Sequence, residues 1–334
     1  MDQESRLYAR LELLELLLFS YAVEYHARAI RGEQGGLKWA IRRGYGQTTC
    51  GESMIEFVKM HGLGNDFMVI NAVEKAVSLT SLEIRKWANR RLGVGFDQLL
   101  VIGPPSSPQA DFSCRIFNAD GSSAQQCGNG VRCVARLIFN EKLCDSSHVI
   151  RLETDGGLIF LQGMDNGDIR VNMGPPAFEP AAIPVHLDKD KPSHTVEVVG
   201  QEICFSVVNI GNPHAVIQVD RLCEQEVALL GQALGADPLF PEGVNVGFSQ
   251  ILGPQNILLQ VYERGVGETL ACGSGACAAV VAGRRLGYLQ ELVRVEQPGG
   301  SLIIEWQGPG QPVWMTGPAT AVYRGTLFTP RHPE

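Results

Sequence analysis

Apolar residues along most of this chain come in short runs with a two-residue period, stopped at close intervals by Gly, Pro, Asn or Asp. That texture predicts strands and turns rather than long helices. It starts at Met54: residues 55–60 alternate, His61 to Asp66 form a turn, and 67–70 read as a buried strand. A helix is predicted over 81–92 with Ser81 as its N-cap. Strands follow at 99–102, stopped by Gly103-Pro104-Pro105, and at 113–118, which ends in the turn Asn118-Ala119-Asp120-Gly121. Further strands are predicted at 148–154, 157–162 and 168–172. Gly174-Pro175-Pro176 then opens a linker loop that runs to Pro192. The same alternation resumes after it, with strands at 195–199, 203–209 and 215–219, a helix over 222–234, a strand at 256–263, and strands and turns over 293–328.

Residues 1–53 have a different pattern. Leu7, Leu11, Leu14, Leu18, Tyr21 and Tyr25 fall on one helical face. Glu12 and Glu15 interrupt the apolar centre a secretory signal needs, and the segment is neither poor in acids nor rich in serine as a transit peptide is. The segment is expected to be a helical N-terminal extension outside the core, with Met54 as the natural start.

Two stretches carry the chemistry. Gln126-Cys127-Gly128-Asn129-Gly130-Val131-Arg132-Cys133 and Ala271-Cys272-Gly273-Ser274-Gly275-Ala276-Cys277 each set a cysteine before a small-residue loop, and an apolar helix-forming run follows. A cysteine there faces unpaired N–H groups and the positive end of the helix dipole, which favour thiolate. The same N–H groups suit a carboxylate. Cys133 and Cys277, inside the helices, read as core residues.

The loops belong to a repeat. Cys127 and Cys272 lie 145 residues apart; Asn65 and Asn212, and Gln98 and Asn245, are offset by 147. Asn118 and Glu263 each stand nine residues before their cysteine. Matched landmarks in the same order predict two similar halves that face each other, with a cysteine on each side of one cleft. That arrangement suits inversion at a carbon beside a carboxylate. One thiolate takes the proton from one face, the opposite thiol returns one to the other, and aimed N–H donors stabilise the charge that spreads into the carboxylate.

Composition narrows the reading. With 334 residues the chain is long enough for two cored domains. A net charge of −8 argues against an extended nucleic-acid surface, and no uninterrupted apolar stretch of about eighteen residues predicts a membrane span. Nine scattered cysteines, without a Cys-x-x-Cys pair, point to a reduced, cytoplasmic protein and to no common zinc site. No Rossmann or P-loop fingerprint occurs, so the proton chemistry is expected to need no cofactor.

The segments Met60-His61-Gly62-Leu63-Gly64-Asn65-Asp66-Phe67, Phe117-Asn118-Ala119-Asp120-Gly121-Ser122, Gly211-Asn212-Pro213-His214 and Tyr262-Glu263-Arg264-Gly265-Val266-Gly267-Glu268-Thr269, taken with the two cysteine loops, resemble the diaminopimelate epimerase family from residue 54 to about 328. The resemblance implies a cofactor-independent isomerase that interconverts LL- and meso-2,6-diaminopimelate for lysine and peptidoglycan, and acts as a homodimer. Its fold would be α+β, with two pseudo-symmetric domains, each a curved mixed sheet around a central helix: 54–172 with 318–328 crossing back, and 173–317. Cys127 and Cys272 would be acid and base. The backbone of Gly128, Asn129, Gly273 and Ser274 would hold the reacting carboxylate. Asn65, Asn118, Asn212, Asn245 and Arg264 would recognise the rest of the substrate, and Gln98, His214 and Glu263 would line the site and tune the thiols. Ser274 stands where threonine is common in the family. Asp66, Asp97 and Asp120 take no role in this reading.

Two other functions fit parts of the pattern. A proline or hydroxyproline racemase would have no distal group for four asparagines and Arg264 to bind. A thiol redox protein would use a Cys127–Cys272 disulfide and exchange no substrate protons.

Overall fold

The computed structural model describes residues 25–31, 37–43, 52–124 and 127–330. The chain divides into two compact units, Met54–Leu327 and a smaller one made of Met1–Ser53 with Phe328–Glu334. In the smaller unit, β1 (Tyr25–Arg31) and β2 (Leu37–Arg43) pair antiparallel as a hairpin. These residues are strands, not a continuation of the predicted helix; the helical spacing from Leu7 to Tyr21 falls outside the described residues.

The larger unit follows the predicted alternation closely. Its first half contains β3 (Glu52–Gly62), β4 (Asn65–Asn71), α1 (Ser81–Ala88), β5 (Gln98–Gly103), β6 (Phe112–Asn118), β7 (Ser123–Ala124), α2 (Gly128–Asn140), β8 (Ile150–Thr154), β9 (Gly157–Gly163) and β10 (Ile169–Asn172). The second half contains β11 (His194–Val198), β12 (Gln201–Asn209), β13 (Pro213–Val219), α3 (Glu224–Gly235), β14 (Asn245–Gly253), β15 (Asn256–Glu263), β16 (Gly267–Thr269), α4 (Gly273–Arg285), β17 (Leu292–Gln297), β18 (Gly300–Trp306), β19 (Val313–Gly317) and β20 (Thr320–Pro330). Strands β3 to β20 join in one closed, barrel-like system, and β10 pairs with β19 across the halves.

Several boundaries differ from the predicted ones for clear physical reasons. The cap of α1 is Thr80, not Ser81: its hydroxyl accepts from the Glu83 N–H at 3.2 Å while Glu83 reaches back to the Thr80 N–H at 2.8 Å. The turn predicted over 61–66 narrows to Leu63-Gly64, because His61 and Gly62 pair with Asp66 and Asn65. Strand β14 is absent from the sequence prediction; pairing with β13 and β15 makes Asn245-Val246-Gly247-Phe248-Ser249 a strand.

The repeat recurs in the strand pairing. β4 runs parallel to β5 with Phe67 opposite Gln98, and β13 runs parallel to β14 with His214 opposite Asn245. β6 pairs parallel with β8, and β15 with β17. Parallel strands are covered on both faces, so they read as unbroken apolar runs. Their side chains still alternate between two cores. Phe67, Val69, Leu100 and Ile102 face the cluster around α2, while Met68, Ile70, Leu99 and Val101 pack with Ile84 and Trp87 of α1. In the second half, Val216 joins the central cluster and Ala215, Ile217, Val246 and Phe248 pack with Val227, Leu230 and Leu234 of α3. The central helix α4 is buried on nearly every side, and its Gly, Ala, Cys and Val side chains are small enough for strands to close around it. Cys133 and Cys277 lie fully inside this core, as expected.

Candidate active site

Each cysteine is a helix N-cap, as its place at a helix entrance implies, but the small residues read as a loop form the first turn of the helix itself. Cys127 caps α2 with φ −149° and ψ 101°, and Cys272 caps α4 with φ −120° and ψ 113°. The Gly130 N–H donates to the Cys127 Sγ at 3.4 Å. The Cys272 Sγ lies 3.6 Å from the Ser274 hydroxyl, and the Cys272 N–H donates to Gln297 Oε1 at 2.8 Å.

The two helix starts lie side by side. A Cβ placed on Gly273 would stand 2.9 Å from Met315 Sδ and 3.3 Å from Asn129 Oδ1, while one on Gly128 would stand 3.0 Å from the same methionine's Cε. A larger residue at either position would have to displace the buried Met315 side chain. Asn129 adds a polar link, since its amide donates to the carbonyl of Ala271, one residue before Cys272, at 3.2 Å. First-turn N–H groups have no partner inside their own helix, so the converging ends form a concentrated donor site.

The predicted polar residues fall into small groups around these ends. His214 Nε2 is 3.0 Å from Asn212 Oδ1 and 3.0 Å from Ser274 Oγ, which ties that asparagine to the Cys272 loop. Gln98 donates to Asn118 Oδ1 at 2.9 Å. At the matching place in the other half, Asn245 donates to the Pro213 carbonyl at 3.0 Å and accepts the Arg264 N–H at 3.0 Å. Glu263 accepts the Thr269 hydroxyl at 2.6 Å and also bonds to Cys272. Asn65 pairs through its backbone with Gly62, where an added Cβ would stand 3.2 Å from the Asn129 carbonyl. Asn65 Oδ1, Gln98 Oε1 and His214 Nδ1 are buried without a protein hydrogen-bond partner, as are Asn209 Oδ1 and the Gln218 amide elsewhere. Arg264 is exposed, its guanidinium donates to the Glu242 carbonyl at 3.0 Å, and its charge acts on the neighbouring His214.

The electrostatics correct one expectation. The helix ends alone would favour thiolate at both cysteines, but burial outweighs them. Burial pushes the Cys127 thiol up to about 11, and the nearby Glu263 carboxylate adds to the rise. Cys272 is driven well above its usual 9.0, first by burial and then by Glu263. Burial and the Arg264 charge hold His214 down at about 3, so its ring is neutral. Burial also raises Glu263.

Some residues of the site carry no sequence signal. Gln297, which holds the Cys272 N–H, and Met315, beneath both helix starts, belong to no motif. Arg132 does leave a signal, as a charge inside an otherwise apolar helix run, and the structure buries it completely. Asp66 and Asp97 join a network with Lys59 and Arg90 beside Asn65 and Gln98.

Comparison with known proteins agrees with this geometry. A family profile described as diaminopimelate epimerase matches residues 57–179 and 206–322. The diaminopimelate epimerase of Coxiella burnetii (strain RSA 493 / Nine Mile phase I) is 54% identical over 271 residues, covering 81% of this chain and 98% of its own. That of Pseudomonas aeruginosa (strain UCBPP-PA14) is 50% identical over 274 residues, covering 82% and 99%. A solved hydroxyproline epimerase from Agrobacterium vitis has a TM-score of 0.62 at 15% identity, covering 83% of this chain and 93% of its own. A methylitaconate-delta-isomerase has 0.60 at 13%, covering 85% and 100%. The two solved structures establish likeness of fold alone. Matched over most of its length by the family profile and by relatives at half identity, the chain belongs to the diaminopimelate epimerase family and is an isomerase.

Proposed function

We propose that this protein interconverts LL- and meso-2,6-diaminopimelate by cofactor-independent proton exchange between Cys127 and Cys272. The observation that carries the reading is the convergence of two cysteine-capped helix starts over Met315, linked by Asn129 and Ala271. One sulfur, as thiolate, removes the α-proton, and the other, as thiol, protonates the opposite face; the reverse reaction exchanges the roles. The N–H groups of Gly128, Asn129, Gly273 and Ser274 bind the carboxylate and stabilise the charge that develops there. Asn65, Asn118, Asn212, Asn245 and Arg264 recognise the distal amino-acid end, and Gln98 supports Asn118. His214 and Glu263 position Ser274 and Cys272 and set their proton affinity. Residues 54–172 with 318–328, and 173–317, serve as the two facing domains, which the repeated strand pairing supports.

The protein is proposed to work as a cytoplasmic homodimer on a free small molecule, with no nucleic-acid or membrane partner; sedimentation at micromolar concentration tests the dimer. The reaction is tested by incubating reduced protein with LL-diaminopimelate in heavy water. Deuterium enters one α-carbon with inversion, without added metal or pyridoxal phosphate. Turnover of proline without diaminopimelate exchange overturns the assignment.

A further inference from the structure

Arg132 is among the largest fully buried side chains, at 0% exposure, and its partners are all uncharged. Its Nη2 donates to Asn129 Oδ1 at 3.0 Å, its Nη1 to the Gly128 carbonyl at 3.3 Å and toward Met315 Sδ at 3.5 Å, and its Nε to the Pro318 carbonyl at 3.2 Å. Among the described residues no carboxylate lies within ion-pair distance of it. An arginine keeps its charge even here, and burying an unpaired charge costs folding free energy. The cost is raised further by placement, since two helix starts present their positive ends beside the same methionine. Burial disfavours the Arg132 charge, and negative charge placed nearby offsets that cost.

We propose that Arg132 is the built-in counter-charge of the anionic site: it stabilises the Cys127 thiolate and the substrate carboxylate between the helix starts, and through Asn129 it fixes the α2 start to the residue before Cys272. The inference rests on the reaction proposed above. Its hydrogen bonds go to Asn129, Gly128, Met315 and Pro318 and to neither sulfur of the couple, so it is a positioning residue that acts through Asn129 and through its field. The groups that face Cys127 are Glu263 from β15, Cys114 from β6, and Cys133 and Arg132 from α2. Cys277 of α4 and Asp168, just ahead of β10, also interact with Arg132. Of these groups, Arg132 is the one that pulls Cys127 toward thiolate by charge, against Glu263, which pushes it away.

The test measures iodoacetamide alkylation of Cys127 and Cys272 against pH, peptide by peptide, in wild type, Arg132→Met and Arg132→Lys, with kcat and KM in both directions. Arg132→Met moves the Cys127 curve upward by about one pH unit, slowing alkylation about tenfold at fixed pH, and moves Cys272 less. Its kcat falls about a hundredfold. Arg132→Lys restores most of the Cys127 curve, which a purely structural role does not predict. A folded Arg132→Met with the wild-type Cys127 curve overturns the inference. Should Arg132→Met fail to fold, Arg132→Gln, which keeps donors but drops the charge, is read by the same criterion. In wild type itself, Cys272 alkylating at lower pH than Cys127 also overturns it. If wild type exchanges no deuterium with LL-diaminopimelate, the reaction fails as an assignment while the alkylation curves still decide the role of Arg132.

Discussion

His214 Nε2 and Ser274 Oγ lie 3.0 Å apart, and the same hydroxyl lies 3.6 Å from the Cys272 sulfur. A neutral imidazole thus orients the serine beside the Cys272 thiol, one of the two proposed proton carriers. Ser274→Ala removes that link and should lower kcat in both directions by less than the roughly 10²–10³-fold of losing a direct oxyanion donor, with little change in KM. Ser274→Thr keeps the hydroxyl and should retain most activity. Steady-state kinetics of the three proteins checks this.

Cys127→Ser and Cys272→Ser should each reduce epimerisation by at least about a thousandfold, because proton transfer by a positioned group is lost on one face. Serine fits either cap position, so far-UV circular dichroism and melting temperature should stay near wild type. A single mutant with most of its activity would remove the two-base mechanism.

Rate and stability should respond oppositely to alkaline pH. Both thiols of the proposed couple are raised above 9.0 by burial, so kcat/KM should rise with pH across the neutral and mildly alkaline range as the attacking thiolate forms. Burial also lifts Cys114, Cys133 and Cys277 from 9.0 to about 12. The folded chain therefore keeps protons that the unfolded chain releases above 9.0. That stability is fully present below 9.0 and is lost as pH climbs toward 12. Melting curves between these limits, with Cys277→Ala as a flatter comparison, check the sign.

Asp66 behaves in the other direction. Burial alone would raise its carboxyl, but hydrogen bonds from Arg90 and Lys59 outweigh it and hold it well below 3.8. Its stabilising contribution is present above 3.8 and lost as pH falls below that value. Asp66→Asn should lower the melting temperature at pH 7 by a few degrees, about the effect of 1 kcal/mol. The gap to wild type should close in acid.

Gly273→Ala should impair folding or activity by forcing a methyl group to 2.9 Å from Met315 Sδ. Loss should be about 1–3 kcal/mol, as for other overpacked core sites. Adding Met315→Ala should recover part of the melting temperature, and a double-mutant cycle measures that coupling.

The strands are legible in the sequence because alternation and turn residues agree with the final pairing, and β15 ends where the pattern places it. The repeat is legible because spacing survives divergence of the side chains, and the same offsets reappear in the parallel pairs β4/β5 and β13/β14. Strand β14 is hidden because partners, not propensity, make Gly247 and Ser249 extended. Burial is hidden too. A helix start reads as thiolate-favouring, yet desolvation of Cys127 and Cys272 depends on strands and helices distant in sequence. Gln297 and Met315 belong to that distant set, and nothing near them in the chain announces it.

The halves share one plan but differ at the position nine residues before each cysteine, where Asn118 stands in one and Glu263 in the other. Glu263 bonds to the sulfur of its own half and raises both thiols, whereas Asn118 carries no charge. The proposed couple thus has two similarly placed sulfurs in unequal electrostatic surroundings, which gives the proton exchange a polarity. Forward and reverse turnover therefore begin from unequal resting forms, so a solvent isotope effect measured from LL-diaminopimelate should differ from that measured from the meso form.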